Sequence, residues 1–228
     1  MSEKSLNIAG KKINIFGEEN APAPIVYLHT FEHEGSIVWE QCRKIGTKKF
    51  ILVEIDGVDW NADMSPWPIE KMFAGDIPCS GKAAQWLQVL VSQIIPEVES
   101  SLAAVQNNAT AVQQSASDQN FAKPKRFIAG YSLAGLFALW AAYNTDVFDG
   151  VISGSGSFWF PGFVVKNETL NKVEENTLWL FNNYREKGYN AFFEFNTGNH
   201  YMQTQRRIAK GIKWSLSASQ QIGKSTNH

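Results

Sequence analysis

Short apolar runs recur along the chain, separated by stretches with helical spacing or by polar loops. Runs without alternation predict parallel strands buried on both faces. They lie at 24–29, 50–55, 127–131 and 148–153, and a further run at 191–195 predicts the last strand. Residues 5–16 alternate weakly, which predicts an edge strand or hairpin ahead of the parallel strands.

Apolar residues at helical spacing fill several of the intervening segments. Helices are predicted at 34–44, 81–102 and 173–187, after the run at 127–131, and at the end of the chain through Trp214. Pro96 predicts a kink in the second helix. Strands that alternate with helices predict an α/β fold, a mostly parallel sheet with helices on both faces, in one domain spanning residues 1–228. Within it, 105–120 is expected to be an exposed polar loop and 217–228 a disordered tail.

The segment 130–135 carries the strongest chemical signal. It reads Gly-Tyr-Ser-Leu-Ala-Gly, between the apolar run at 127–131 and an apolar helix. A sharp strand-to-helix turn with a serine at its tip is how α/β-hydrolases present a nucleophile. The pattern usually ends in glycine at the position of Ala134, but alanine is small enough for the turn. Ser132 is therefore the predicted nucleophile.

A base and an oxyanion site follow from the same logic. Of the four histidines, His200 lies after Ser132 in a glycine-containing loop beyond the last predicted strand, where the base of such an enzyme belongs. The backbone N–H of Leu133 is the first predicted oxyanion donor, and that of Phe31 or Thr30, after an early strand, is the second. His29 either lines the site or has a structural role.

No carboxylate stands where a triad acid belongs, at the end of a strand between Ser132 and His200. Glu174 and Glu175 are the candidate acids, although as a first-turn pair they also suit the dipole of a helix. We expect His200 Nδ1 to face one of them, a backbone carbonyl or water. The sequence thus predicts a nucleophile and a base without a well-placed acid.

With these residues in view, the chain resembles the putative-esterase family of α/β-hydrolases, the group around esterase D and the siderophore esterases. The resemblance covers about Ile25 to Leu216 and is most specific in the segments around Ser132 and His200. It implies the α/β-hydrolase fold. Family members have another strand and an acid-bearing loop before the segment similar to 173–176, so we expect a sheet one strand shorter, by roughly 20–30 residues. Two ways to bridge the gap are direct pairing of the remaining strands and a stub at 163–165.

Composition narrows the partners. The net charge of −1 does not favour nucleic acid or an anionic membrane. The N-terminus lacks the pattern of a signal peptide, and Cys42 and Cys79 show no metal spacing, so we expect a cytoplasmic protein without cofactor or metal. Trp60, Trp67 and Trp159 either rim a pocket for a small ester or pin loops to the core.

The expected function is hydrolysis of carboxylic esters through an acyl-enzyme. Ser132 would attack, and His200 would carry the proton to the leaving alcohol. Two alternatives remain open. The missing acid favours a degenerate hydrolase that binds a ligand or a protein without turnover. An acyltransferase would use the same serine with a sugar or alcohol as acceptor.

Overall fold

A computed structural model describes residues 3–17, 23–71, 77–110, 123–163 and 173–222. The elements alternate as the apolar pattern predicts. Eight strands are described: β1 Glu3–Ile8, β2 Lys11–Phe16, β3 Ile25–His29, β4 Ile51–Asp56, β5 Pro68–Ile69, β6 Cys79–Ser80, β7 Arg126–Tyr131 and β8 Gly150–Gly154. The helices are α1 Gly35–Lys44, α2 Trp60–Asp63, α3 Ala83–Val89, α4 Ile95–Thr110, α5 Leu133–Asn144, α6 Val173–Glu186 and α7 Thr204–Ile222, and a π-helical turn, Leu90–Ile94, joins α3 to α4.

Six of these strands form the main sheet in the order β1-β2-β4-β3-β7-β8. The strands β4, β3, β7 and β8 are parallel, whereas the β1–β2 hairpin adds on antiparallel to β4. Tyr27 in β3 pairs with Val53 on one side and Ile128 on the other. The carboxyl ends of the central strands therefore meet at one edge, where ligands bind in open α/β sheets.

Each face of the sheet is covered by helices. In β3, Tyr27 belongs to a core cluster with residues of α3, α4 and α5, whereas Val26 and Leu28 belong to a second cluster with residues of α1 and α7. Helices on both faces explain why the strands are apolar without alternation. The α/β-hydrolase architecture expected from the sequence is confirmed.

Some boundaries differ from the prediction. The predicted polar loop at 105–120 begins as the last turn of α4, which runs to Thr110; residues 111–120 lie outside the described residues. Likewise α7 continues to Ile222, well into the predicted tail. The extension of α7, residues 217–222, reads Ser-Ala-Ser-Gln-Gln-Ile and contains mostly small or polar residues that a helix accommodates. The π-helical turn directly precedes Pro96, which cannot donate the next helical hydrogen bond.

The predicted strand at 191–195 is wrong. Residues 189–196 run without regular structure, most of them exposed, and pair with none of the described strands. The backbone N–H and C=O groups of a strand need hydrogen-bond partners on a neighbouring strand. β8 does not pair with residues 191–195. Direct pairing across the gap is therefore excluded, and the stub at 163–165 lies largely outside the described residues.

None of the described helices combines the length and the apolar character that spanning a bilayer would require.

Candidate active site

Ser132 occupies a strained turn between β7 and α5. Its φ of 56° and ψ of −120° lie in a region that residues with side chains rarely adopt. Its N–H donates to the Gly154 carbonyl at 2.9 Å, and its carbonyl accepts from Leu136 N and Ser157 N, both at 3.1 Å. The loop after β8 thus holds the turn from the side, and the Ser132 side chain stands at the carboxyl edge of the sheet.

Two glycines allow this turn to close. A Cβ on Gly130 would lie 2.3 Å from the Ala134 carbonyl oxygen, and a Cβ on Gly135 would lie 2.8 Å from Ser153 Oγ. Ala134 itself is fully buried, so the departure from the usual glycine at that position is accommodated in the core. The turn needs glycine at 130 and 135, and alanine suffices at 134.

His200 faces the serine. Its Nε2 lies 3.0 Å from Ser132 Oγ, as expected for a base and its nucleophile. Burial, followed by the positive charge of Arg207, lowers the pKa of His200 below its ordinary value. The imidazole therefore stays neutral, and able to accept a proton, to a lower pH than a free histidine.

The acid side of His200 is different. Neither a hydrogen bond nor an ion pair joins its Nδ1 to any residue that the structure describes. Glu174 lines the cleft beside the site whereas Glu175 does not, and no hydrogen bond or ion pair joins His200 to either of them. Within the described chain, Ser132 and His200, the predicted nucleophile and base, form a pair without a carboxylate.

The loop after β3 lies beside the nucleophile and is held by a buried carboxylate. Glu54, 1% exposed, accepts from Thr30 Oγ1 at 2.9 Å, Gly35 N at 2.6 Å and Asn14 Nδ2 at 3.0 Å. A Cβ on Gly35 would lie 2.5 Å from Glu54 Cδ, so glycine is required there. Glu54 thereby fixes the loop that carries the predicted second oxyanion donor.

Phe31 and Leu133 line the same cleft as Ser132, whereas Thr30 turns its side chain toward Glu54. The Leu133 N–H is at the first turn of α5, where helical N–H groups have no intrahelical acceptor and the helix dipole is positive. Leu133, Phe31 and Thr30 as oxyanion donors stay predictions, with Leu133 and Phe31 in the lining of the cleft.

A second serine touches the nucleophile. Ser157 is 3% exposed, and its Oγ lies 3.3 Å from Ser132 Oγ. With His200 Nε2 accepting the Ser132 proton, the Ser157 hydroxyl is free to donate to Ser132 Oγ. It therefore stands where negative charge would develop on the nucleophile.

The site opens into a cleft of about 1320 Å³ lined by β8, by α6 and α7, and by residues 189–196. The cleft occupies the side of β8 where the expected strand is absent. Trp60 and Trp159 are in its lining, and Trp60 packs edge-on against Phe31 at 5.1 Å between ring centroids. Both tryptophans thus line the cleft, and their role as a rim for a substrate stays a prediction.

Two other aromatic candidates lie elsewhere. Trp67 donates from Nε1 to the Pro161 carbonyl at 2.8 Å and packs against Phe160, outside the cleft lining. His29 is 1% exposed in the core, and its Nε2 accepts from Trp86 Nε1 at 3.2 Å. Burial lowers the pKa of His29 to about 3, so it stays neutral. For both residues the structural interpretation fits.

Sequence reasoning missed four residues around the site: Glu54, Ser157, Tyr131 and Arg207. Glu54 had a usable signal, because a charged residue inside the apolar run at 50–55 must find buried partners. Tyr131 and Arg207 come close to the His200 loop only once the chain is folded. The sequence around Ser157 carries no motif that would single out this serine. Proximity in space, which one sequence does not show, identifies these three.

Comparisons with known proteins agree with this geometry. The model of a family described as putative esterase matches residues 28–191, more than half of the chain, including Ser132 but ending before His200. No protein of curated function matches the sequence.

Among solved structures, the chain is similar to the enterobactin hydrolase IroE in complex with DFP, at 17% identity and a TM-score of 0.53, over 94% of this chain and 92% of that one. A siderophore hydrolase, EstB from Aspergillus nidulans, matches at 14% identity and a TM-score of 0.46, over 99% and 82%. An alpha-beta serine hydrolase homologue from Coxiella burnetii matches at 9% identity and 0.49, over 96% of each chain. At such identities the first of these similarities supports the fold alone.

Proposed function

Because the chain belongs to the putative esterase family of α/β-hydrolases, we propose that it is a serine esterase that cleaves carboxylic esters through an acyl-enzyme on Ser132. The observation that carries the proposal is the 3.0 Å contact between His200 Nε2 and Ser132 Oγ at a strained strand-to-helix turn. Strain of this kind is stored where a side chain must be presented to a ligand.

In the first half-reaction, Ser132 Oγ attacks the ester carbonyl carbon while its proton passes to His200 Nε2. The carbonyl oxygen becomes an oxyanion that accepts hydrogen bonds from the N–H groups of Leu133 and Phe31. The C–O bond to the alcohol then breaks, and His200 returns the proton to the leaving alkoxide. Water, deprotonated by the same nitrogen, then releases the carboxylic acid and restores Ser132.

The electrostatics of His200 favour its role as base but weaken the next step. The lowered pKa keeps the imidazole neutral, yet the imidazolium formed on proton transfer has no carboxylate partner among the described residues. Where a triad acid is disabled in a serine protease, kcat falls by about 10⁴ while measurable catalysis persists. We therefore expect slow but real turnover.

The same observation supports a second candidate, a degenerate hydrolase that binds an ester without turnover. The open cleft and its aromatic lining suit a binding role as well as a catalytic one. The two functions differ in whether Ser132 reacts.

The substrate class we propose is a small neutral ester, because the cleft is lined largely by aromatic and aliphatic side chains. We place the protein in the cytoplasm. Cys42 and Cys79 are both buried, and no disulfide joins them, which agrees with a reducing compartment.

Hydrolysis of a short-chain nitrophenyl ester tests the proposal. Ser132→Ala and His200→Gln are each expected to lower kcat/KM by at least about 10³-fold, because each removes one member of a cooperating pair. Ser92→Ala is the matched control, since the Ser92 hydroxyl bonds only the Gln88 carbonyl on an exposed helix surface. Unchanged turnover in Ser132→Ala would rule out the serine mechanism, and an inactive wild type would favour the binding role.

A further inference from the structure

His200 lies in a part of the chain that the sheet does not hold. The preceding residues 190–196 make no backbone N–H hydrogen bond to any described residue. The ring itself has no partner at Nδ1 among the described residues; through this atom a triad acid normally orients the base. The 3.0 Å contact to Ser132 must therefore be maintained by other groups.

Tyr131, the residue before the nucleophile, contacts the base directly. Its hydroxyl donates to the His200 carbonyl at 2.6 Å, and its ring lies against the imidazole with 5.2 Å between centroids. Because Tyr131 ends β7, these contacts fix His200 relative to the strand that carries Ser132.

Arg207, on the first turns of α7, ties the same loop together. Its Nη1 donates to the Tyr131 hydroxyl at 2.8 Å, and its Nη2 donates to the carbonyls of Thr197 and Asn199, both at 3.0 Å. No described carboxylate pairs with this guanidinium. All of its hydrogen bonds to described residues thus serve Tyr131 and the loop that carries His200.

We propose that Tyr131 and Arg207 are positioning residues for His200, supplying through the backbone and the ring face the orientation that a triad carboxylate would supply at Nδ1. The proposal rests on the function proposed above. The hydroxyl of Tyr131 is both donor and acceptor, so it couples the two side chains into one clamp.

The positive charge of Arg207 changes the pKa of His200 in the direction opposite to the change that a carboxylate would cause. A carboxylate at Nδ1 raises the pKa of a histidine, whereas Arg207 lowers that of His200. The groups facing the ring are Arg207 from α7, the Tyr131 phenol from β7 and Tyr201 beside it in the chain. Of these, the charge on Arg207 acts on the pKa, so orientation and charge can be separated by choice of substitution.

Three variants separate them. Tyr131→Phe keeps the ring but removes the hydroxyl. Arg207→Lys keeps the positive charge but loses the planar guanidinium that donates to two carbonyls, and Arg207→Gln loses both the charge and the guanidinium. We expect each to lower kcat by about tenfold or more with KM little changed, since misplacement by about 1 Å costs up to about 10²-fold. Arg206→Gln, at the exposed neighbouring position, is the control.

The pH profile is the readout that a purely structural role would not move. The acid limb of kcat/KM should move to higher pH in Arg207→Gln, because burial, the larger cause of the lowered pKa of His200, remains but the positive charge is lost; it should stay at the wild-type position in Arg207→Lys. The same shift should appear when the His200 ring is titrated by NMR in a Ser132→Ala background, which needs no catalysis. That arm keeps this test separate from failure of the esterase proposal.

Wild-type kcat in Tyr131→Phe and Arg207→Lys would overturn the positioning role. An unchanged His200 titration in Arg207→Gln would overturn the charge effect assigned to Arg207, provided that the variant gives the circular dichroism spectrum of the wild type. A loss of kcat explained entirely by a smaller fraction of folded protein would count against the positioning role too.

Discussion

Ser132 and His200 meet in one site, but the chain holds them by different means. Ser132 lies between β7 and α5. Its backbone forms hydrogen bonds with the end of β8, with the loop after β8 and with α5. His200 lies beyond the last strand, in a loop tied by the side chains of Tyr131 and Arg207. The nucleophile is thus positioned by backbone structure and the base by side chains.

This difference teaches that two parts of one site can depend on different parts of the fold. The nucleophile turn depends on β7, β8 and α5, which are all present. The position of His200 depends on the chain that follows β8. There the described residues line a cleft and add no further strand to the sheet. In the proposal made above, the side chains of Tyr131 and Arg207 supply the orientation of His200.

Hydrogen exchange of backbone amides tests this difference between the two regions with the largest expected effect. Amides of β7 lie in the middle of the sheet and should exchange slowly, whereas those of 190–196 lack backbone partners and should exchange near the intrinsic rate. We expect a difference on the order of 10³-fold or more, measured by mass spectrometry of peptic peptides. Comparable protection in both segments would mean that 190–196 is held by the sheet after all.

A second, smaller effect is expected at Glu54, the buried carboxylate that holds the loop after β3. Glu54→Ala would leave Thr30, Gly35 and Asn14 without their buried acceptor. We expect a loss of about 3–5 kcal/mol in the free energy of unfolding, measured by denaturant titration, together with reduced activity.

The matched control for Glu54 is Glu40→Ala. Glu40 forms an exposed pair with Lys44 at 3.7 Å, and its removal should change stability by less than about 0.5 kcal/mol. Equal effects at the two positions would contradict the role assigned to Glu54.

The smallest expected effect sharpens the nucleophile side. Ser157→Ala removes the hydroxyl 3.3 Å from Ser132 Oγ, and one hydrogen bond of about 1 kcal/mol corresponds to about fivefold in kcat/KM. Ser217→Ala, which deletes a hydroxyl on the outer surface of α7, should leave the rate unchanged. A Ser157→Ala rate equal to that of the control would show that Ser157 only packs beside the nucleophile.

The same division explains what the sequence could predict. Strands β3, β4 and β7 were predictable because continuous apolar runs need burial on both faces, and Ser132 was predictable because its turn is a local motif. Residues 191–195 have an equally strand-like composition but no neighbour to pair with. Whether a strand forms there depends on the rest of the sheet.

The base could be found by its order along the chain, but not what orients it. Tyr131 and Arg207 are 76 positions apart, and their contact exists only once α7 packs against β7. Glu54 was missed as well, although a charged residue inside the apolar run at 50–55 offered a signal. Local motifs identify reacting atoms, and tertiary packing identifies the groups that position them.

Covalent labelling tests the central claim most directly. The wild type, Ser132→Ala and His200→Gln would be treated with a fluorophosphonate, and the adduct followed by intact-protein mass spectrometry and peptide mapping. We predict a single adduct on Ser132 of the wild type, none on Ser132→Ala, and labelling slowed at least about 10²-fold in His200→Gln. An adduct on another residue, or an unmodified wild type, would contradict the account.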